Sequence, residues 1–536
     1  MPTSNNQTDW AIASPFDLSS DAGADAFAAG GNAIDAALAT AVSLTVTLPD
    51  NCALGGDMIA LLRKPDGSVT TINSSGPAGA SVSAEQLRRK HGSTMLIVGA
   101  PTVTVPGILA GWEALWGHGA DLPWSDAFAV GIGQALHGVP VAPSVAESLI
   151  VEEAHLRLDP GLSEIFYPAG QALTVGEQLV QPRLAQTLEE IRDGGAAALY
   201  SGPIGESLLA TLKACGSDLS KDDLASFEPD VAGALRGHFH GLEIHTAPPN
   251  SQGAVWLMIL EQLATVDPPL DPLSERAPEL AKAVQAAVEA RTRYLADPRY
   301  AEVDLRHFRT DAPHTETPGV RGGDGPRIDE RLGSRPQPDN GDTVAIVAAD
   351  DEGRAVSLIQ SLFHRFGAGI LDPDTGIITH NRGASFSLDP ESPNHLAPGK
   401  RPAHTLTPGL VCRDGELEYV VGTMGGLAQP QILTQVLLGL CRGLDCEQAL
   451  SAPRWLVGGI EAGTEQSGLL AEAGVPAQAR TALSAHGWQV TEIPSLSPDV
   501  GEAHVIAAGP EGYSATSDPR SKGSAITARD LTGAGP

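Results

Sequence analysis

Basic side chains are scarce in this chain. In 536 residues, 34 Lys and Arg stand against 65 Asp and Glu, a formal net charge of −31. A surface so acidic repels polyphosphate and anionic headgroups, which excludes nucleic acid and an acidic membrane surface as partners. Cysteine is scarce too. Five thiols without a C-x-x-C pair exclude a disulfide scaffold and predict a reducing compartment. No run approaches 18 uncharged apolar residues; the best, residues 33–49, is interrupted by Asp35, so no membrane-spanning helix is expected. The opening MPTSNNQTDWAIASP has neither the basic start nor the apolar stretch of a secretory leader, and a cytoplasmic protein is the expectation. Also missing are a G-x-S-x-G elbow, an H-E-x-x-H pair and a G-x-x-x-x-G-K-[ST] loop. Gly131-Ile132-Gly133 lacks a third glycine and reads as helix. The 15 His form no metal-spaced cluster, so no metal and no organic cofactor is expected.

Turns and apolar residues are plentiful. Sixty Gly and 41 Pro signal many turns, and 42% hydrophobic residues suffice for a large core. Ala-rich helix is predicted over residues 21–48, broken at Gly30-Gly31, and a hairpin follows over 58–63 and 69–73. Helical patterns continue at 105–116, 125–136 and 184–192. A strand at 242–246 leads into the block PPNSQG, then an apolar helix at 254–263 and a more polar one at 279–294. Residues 306–342 are polar and aperiodic, and an arm over 305–342 is expected to be flexible. Two strands at 343–349 and 355–361 follow, with the acidic turn Asp350-Asp351-Glu352 read as solvated. A further hairpin (409–412 with 417–423) runs through Gly425-Gly426 into a helix at 431–440. Strands then helices in both halves predict layered sheets with helices outside. Cys412, in a strand, reads as core, and His307 and His314, in the arm, need no role.

The junction at Thr343 carries the chemistry. Cleavage of the preceding peptide bond gives Thr343 a free α-amine beside its own hydroxyl, and that amine can act as base for the Oγ nucleophile. From spacing alone, an ordinary turn before an ordinary strand accounts for the same residues.

Ordered blocks along residues 11–530 resolve this. They are AGGNAIDAA (29–37), LGGD (54–57), VPGILAG (105–111), APPNSQG (247–253), GDTV (341–344), AVS (355–357), TMGG (423–426) and SDPR (517–520). With them the chain resembles the γ-glutamyltranspeptidase family of self-cleaving N-terminal-nucleophile hydrolases. The resemblance implies a four-layer αββα sandwich, α+β in class, formed jointly by a large chain (1–342) and a small chain (343–536). It implies Thr343 as nucleophile, Ser361 as its hydrogen-bonding support, and Gly425 and Gly426 as oxyanion hole, where glycine admits the substrate oxygen closely.

At the family's donor-binding positions the chain departs. Ser75 stands where an Arg is usual, and His404-Thr405 where two Ser are. Phe363, Arg382 and Ser385 replace the ligands of an α-amine. An ammonium needs acceptors and a carboxylate, which Phe363 and Arg382 do not offer. A cationic or apolar pocket is expected instead, lined by Arg365, Arg382, His364, His380 and His404. Arg fits a carboxylate in bidentate fashion, so the expected substrate is a small amide bearing a carboxylate, as in the family's oxamate-hydrolysing branch. Only residues 388–400 occupy the place of the family's lid, which favours water as acceptor. A true γ-glutamyltranspeptidase or glutathione hydrolase and an uncleaved scaffold protein remain the alternatives. Expected partners are a small-molecule amide and the two self-cleaved chains with each other; the sequence leaves a homodimer of the cleaved pair open.

Overall fold

Alternation of side chains along β-strands builds the centre of the molecule. The computed structural model describes residues 9–309, 342–458 and 468–532. One sheet has seven strands, in the order Ser524–Thr527, Trp10–Ser14, Asp342–Asp350, Ala355–Phe363, Asp57–Arg63, Val69–Ser74 and Asp230–Gly233. The second has six: Gly512–Ser517, Glu502–Gly509, Glu416–Met424, Gly409–Arg413, Leu242–Thr246 and Leu235–Phe239.

In the strand Asp342–Asp350, Val344, Ile346 and Ala348 join the core beneath the outer helices. Ala345, Val347 and Ala349 face the other sheet. The neighbouring strands repeat this, with Met58, Ala60 and Leu62 toward the helices and Ile59 and Leu61 toward the second sheet. A period of two therefore sets Thr343, Ser361 and Asp57 on the inter-sheet face. Register makes them neighbours, because Ser361 pairs with Thr343 on one side and Asp57 on the other.

Helices cover both outer faces. Ala33–Thr47, buried along its whole length, lies on the seven-stranded sheet. Gly253–Leu263, Ala277–Tyr294 and Gln429–Cys441 enclose the six-stranded one around Trp256, Leu280 and Leu433. The order helix, sheet, sheet, helix is the expected four-layer sandwich. A small sheet of Trp455–Val457, Gly468–Glu472 and Gln489–Ile493 was not anticipated.

Two expectations change. The start of the arm is packed: Leu305–Phe308 is a 3-10 turn with Phe308 buried in the second core, and His307 stacks on Tyr294 at 4.0 Å. The rest of the arm, with His314, lies outside the described residues. Asp350 is not solvated. It is fully buried, and its carboxylate accepts from Ala33 N at 3.0 Å, at the start of the helix Ala33–Thr47.

Glycines permit the close approaches that place the site. A Cβ at Gly55 would lie 2.3 Å from Ile378 O, and one at Gly56 2.6 Å from Ser361 O. At Gly107 it would lie 1.8 Å from Ser74 O. Gly107→Ala is therefore expected to lose about 3 kcal/mol, read as a lower urea midpoint. Gly117→Ala, with open space at its Cβ, is expected to lose nothing.

Candidate active site

Thr343 is 2% exposed, and its Oγ1 lies 3.1 Å from Ser361 Oγ. Ser361 Oγ accepts from Phe363 N at 2.8 Å. That bond follows from a local break: the pairing register shifts between Ser361 and Phe363, and Phe363 takes a left-handed φ of 81°. Such a φ is strained for an aromatic residue, and it turns the ring toward Arg382, whose guanidinium carbon stands 4.4 Å from the ring centroid.

Asp57 organises the other side. Its carboxylate, with no exposed surface, receives Arg382 Nε at 2.8 Å on one oxygen and Arg382 Nη2 at 3.1 Å on the other. His404 Nε2 lies 2.9 Å from the first oxygen. Burial alone would raise this carboxyl, but the Arg382 charge and the hydrogen bonds of His380 and His404 hold it well below the usual range. His404 Nδ1 accepts from Leu406 N at 3.3 Å, so the proton sits on Nε2 and points at Asp57. Burial, with Arg382 adding to it, pushes the His404 imidazole down to about 4. His380 Nδ1 is 3.6 Å from Asp57, and its Nε2 lies 3.0 Å from Thr104 O.

The segment bearing His404 and Thr405 is clamped by the block that follows the strand Leu242–Thr246. Asn250 Nδ2 donates to Pro402 O at 2.7 Å, Ser251 Oγ to Leu406 O at 2.7 Å, and Gln252 Nε2 to Thr405 O at 2.7 Å. Gln252 Nε2 also reaches Gly426 O at 3.0 Å. Thr405 Oγ1 accepts from Arg382 Nη1 at 3.0 Å. Gly425 and Gly426 adopt φ of 137° and 51°, conformations that favour glycine, just before the helix Gln429–Cys441. Their strand packs tightly on the Thr343 strand, since a Cβ at Gly422 would lie 3.1 Å from the Ala345 Cβ.

Thr343, Ser361, Phe363, Arg382, His404, Thr405 and Gly426 are thus joined by one chain of contacts. Other expected members fall elsewhere. Arg365 turns toward Glu147, at 3.9 Å, and acts on Asp50. Ser75 is fully buried, its hydroxyl taken up by Asn73 Oδ1 at 2.7 Å and Asn250 Nδ2 at 3.1 Å. Ser385 Oγ donates to Ala403 O, and His364 packs on Phe363 with ring centroids 4.3 Å apart. The expected excess of positive charge shrinks accordingly: His404 is neutral near pH 7, and the charge of Arg382 is matched by Asp57. Cys412 is buried, with its thiol pushed up by burial. Residues 388–400 are held by Lys400 Nζ on Pro393 O and His395 O, and by Tyr300 OH on Pro398 O.

Asp57, Gln252 and Arg291 were missed. Asp57 had a signal, a lone carboxylate heading an apolar strand after two glycines. Gln252 lay inside a noted block. Arg291, on the helix Ala277–Tyr294, had none.

Two outcomes follow from this network. Asp57→Asn leaves Arg382 buried without its counterion and is expected to lose about 3–5 kcal/mol. The double variant Asp57→Asn/Arg382→Met should recover much of that in urea unfolding. His404 also imposes a pH dependence. Between pH 6.5 and about 4 the unfolded imidazole takes up a proton that the folded one refuses, so stability falls as pH is lowered through that window and levels off below it. His404→Gln should show a shallower loss over the same range.

A family model described as gamma-glutamyltranspeptidase matches residues 19–528. An oxamate amidohydrolase proenzyme of Klebsiella pneumoniae is 34% identical, over 98% of this chain and 99% of that protein. A glutathione hydrolase-like proenzyme of Bacillus subtilis is 31% identical over 96% and 98%. Among solved structures, a cephalosporin acylase from Bacillus halodurans superposes with a TM-score of 0.86 at 29% identity, covering 98% of this chain and 97% of that one. The fold is that of the N-terminal-nucleophile hydrolases, and the chain belongs to the gamma-glutamyltranspeptidase family.

Proposed function

We propose that the chain cleaves itself before Thr343 and that the new N-terminal threonine hydrolyses small carboxylate-bearing amides. The observation that carries this is the hydroxyl pair at 3.1 Å: Thr343 Oγ1 against Ser361 Oγ, the latter oriented by Phe363 N. In self-cleavage, Thr343 Oγ adds to the Asp342 carbonyl, the C–N bond breaks, and the nitrogen takes the hydroxyl proton. Water then hydrolyses the resulting ester, which leaves Thr343 with a free α-amine.

In turnover, that amine accepts the Oγ proton as Oγ attacks the substrate amide. The N–H groups of Gly425 and Gly426, near the positive end of the helix Gln429–Cys441, receive the developing oxyanion. The proton passes to the departing nitrogen, and water releases the acid from the acyl-enzyme. Only residues 388–400 stand where the family carries its lid, and so short a segment favours water as acceptor and hydrolysis over transfer.

The acyl group follows from charge. A γ-glutamyl donor carries an α-ammonium, and Arg382 and Phe363, at the positions that match its ligands in the family, offer it no acceptor. An amide with a carboxylate and no α-amine needs none. The activity in the name of the Klebsiella relative, oxamate hydrolysis, fits this description. The five unpaired thiols fit a reducing compartment.

Intact-mass analysis tests the reading. The purified protein is expected as two chains of 342 and 194 residues, and Thr343→Ala as one uncut chain of 536. Ammonia release from oxamate should exceed release of product from γ-glutamyl donors. An uncut chain in both samples would refute the reading.

A further inference from the structure

Arg291 lies in the last turn of the helix Ala277–Tyr294, half-buried beside the site. Its Nε donates to Gln252 Oε1 at 3.1 Å. The other end of that amide donates to Thr405 O and Gly426 O. One glutamine therefore ties Arg291 both to the segment that contacts Arg382 and to the candidate oxyanion hole.

Among the described residues no carboxylate stands within ion-pair distance of Arg291. The other arginines drawn into the protein near this end are matched: Arg382 by Asp57, Arg401 by Asp230, Arg454 by Asp518. Burial and the repulsion of Arg382 push the Arg291 guanidinium down to about 10, the mark of a charge held without a counterion. Among the described residues its two Nη groups have no partner, and neither is sealed from solvent. In a chain with 65 acidic residues, a counterion within reach would be easy to supply. This cation is left open beside the glutamine that reaches Thr405 and Gly426.

We propose that Arg291 is the residue that binds the substrate carboxylate. Its planar Nη pair takes the two carboxylate oxygens. Gln252 fixes its distance from Gly426, and hence from the scissile carbonyl. Arg382, already engaged by Asp57, forms with Phe363 the flat wall beside the acyl chain. The assignment deepens the proposed function and rests on it. It moves charge recognition from the small chain to the large one.

The test compares oxamate with its uncharged ester, ethyl oxamate, by ammonia release. Arg291→Gln is expected to lower kcat/KM for oxamate about 30-fold or more and to change that for ethyl oxamate by less than about threefold. Arg291→Lys, which keeps the charge without the fork, should fall between. Equal losses on both substrates, or none on oxamate, would overturn the assignment. Calorimetric titration with oxalate separates this from the chemistry. Oxalate binding by the wild type that Arg291→Lys weakens and Arg291→Gln abolishes supports the anion site even where oxamate is not turned over, an outcome that sinks the substrate reading alone. A wild type that binds no oxalate overturns the site. Self-cleavage and melting temperature report whether each variant is folded.

Discussion

A buried carboxylate governs this end of the molecule. Asp57 stands between two sheets with no exposed surface, where an isolated charge would cost several kcal/mol. It is stable there because the Arg382 fork and the His404 N–H supply three hydrogen bonds from two separate loops. Each loop is fixed in turn: the Arg382 turn by its seat on Phe363, and the His404 segment by Asn250, Ser251 and Gln252. The bend after Ser361, which orients the serine toward Thr343, is therefore coupled to a carboxylate two strands from the nucleophile. The glycines before Asp57 belong to the same constraint, since any Cβ at Gly55 or Gly56 would push the strand off Ile378 and Ser361.

Much of this was legible from local pattern. The apolar run after Thr343 and the turn at Gly353 gave the central hairpin within two residues. Strand periodicity then fixed which face Thr343 occupies. The break at Gly30-Gly31 separates the helices Asp17–Ala28 and Ala33–Thr47 as expected. What local pattern does not contain is the choice of partner for a charge. Arg382 and Asp57 are 325 positions apart, and nothing near either reveals the pairing. Arg365 and Arg382 look alike in sequence, yet one turns toward Glu147 and the other into the site. His404 looked like a source of positive charge, and burial leaves it neutral.

The net charge of −31 gives the site's cations a short-range role. Seen from solvent, the chain repels an anionic substrate, and salt screens that repulsion beyond about 10 Å. Long-range steering therefore does not favour the proposed substrate, and selection must come at contact. A planar guanidinium acts at contact, because its benefit depends on two aligned hydrogen bonds rather than on distance alone. Arg382 has spent that geometry on Asp57. Arg291 has not.

Self-cleavage before Thr343 would leave the fold intact for a topological reason. In the seven-stranded sheet, the strand Asp342–Asp350 lies between Trp10–Ser14 and Ala355–Phe363, and Asp57–Arg63 pairs on the far side of the latter. The six-stranded sheet likewise pairs Gly409–Arg413 with Leu242–Thr246. Both sheets are built from strands before and after the cut, so neither product holds a closed core of its own. The site is divided in the same way. Asp57, Gln252 and Arg291 precede the cut, and Thr343, Ser361, Arg382, His404 and Gly426 follow it. A covalent break at the nucleophile thus frees an amine without freeing a chain, because ladders in both sheets and the ion pair of Asp57 with Arg382 cross the break.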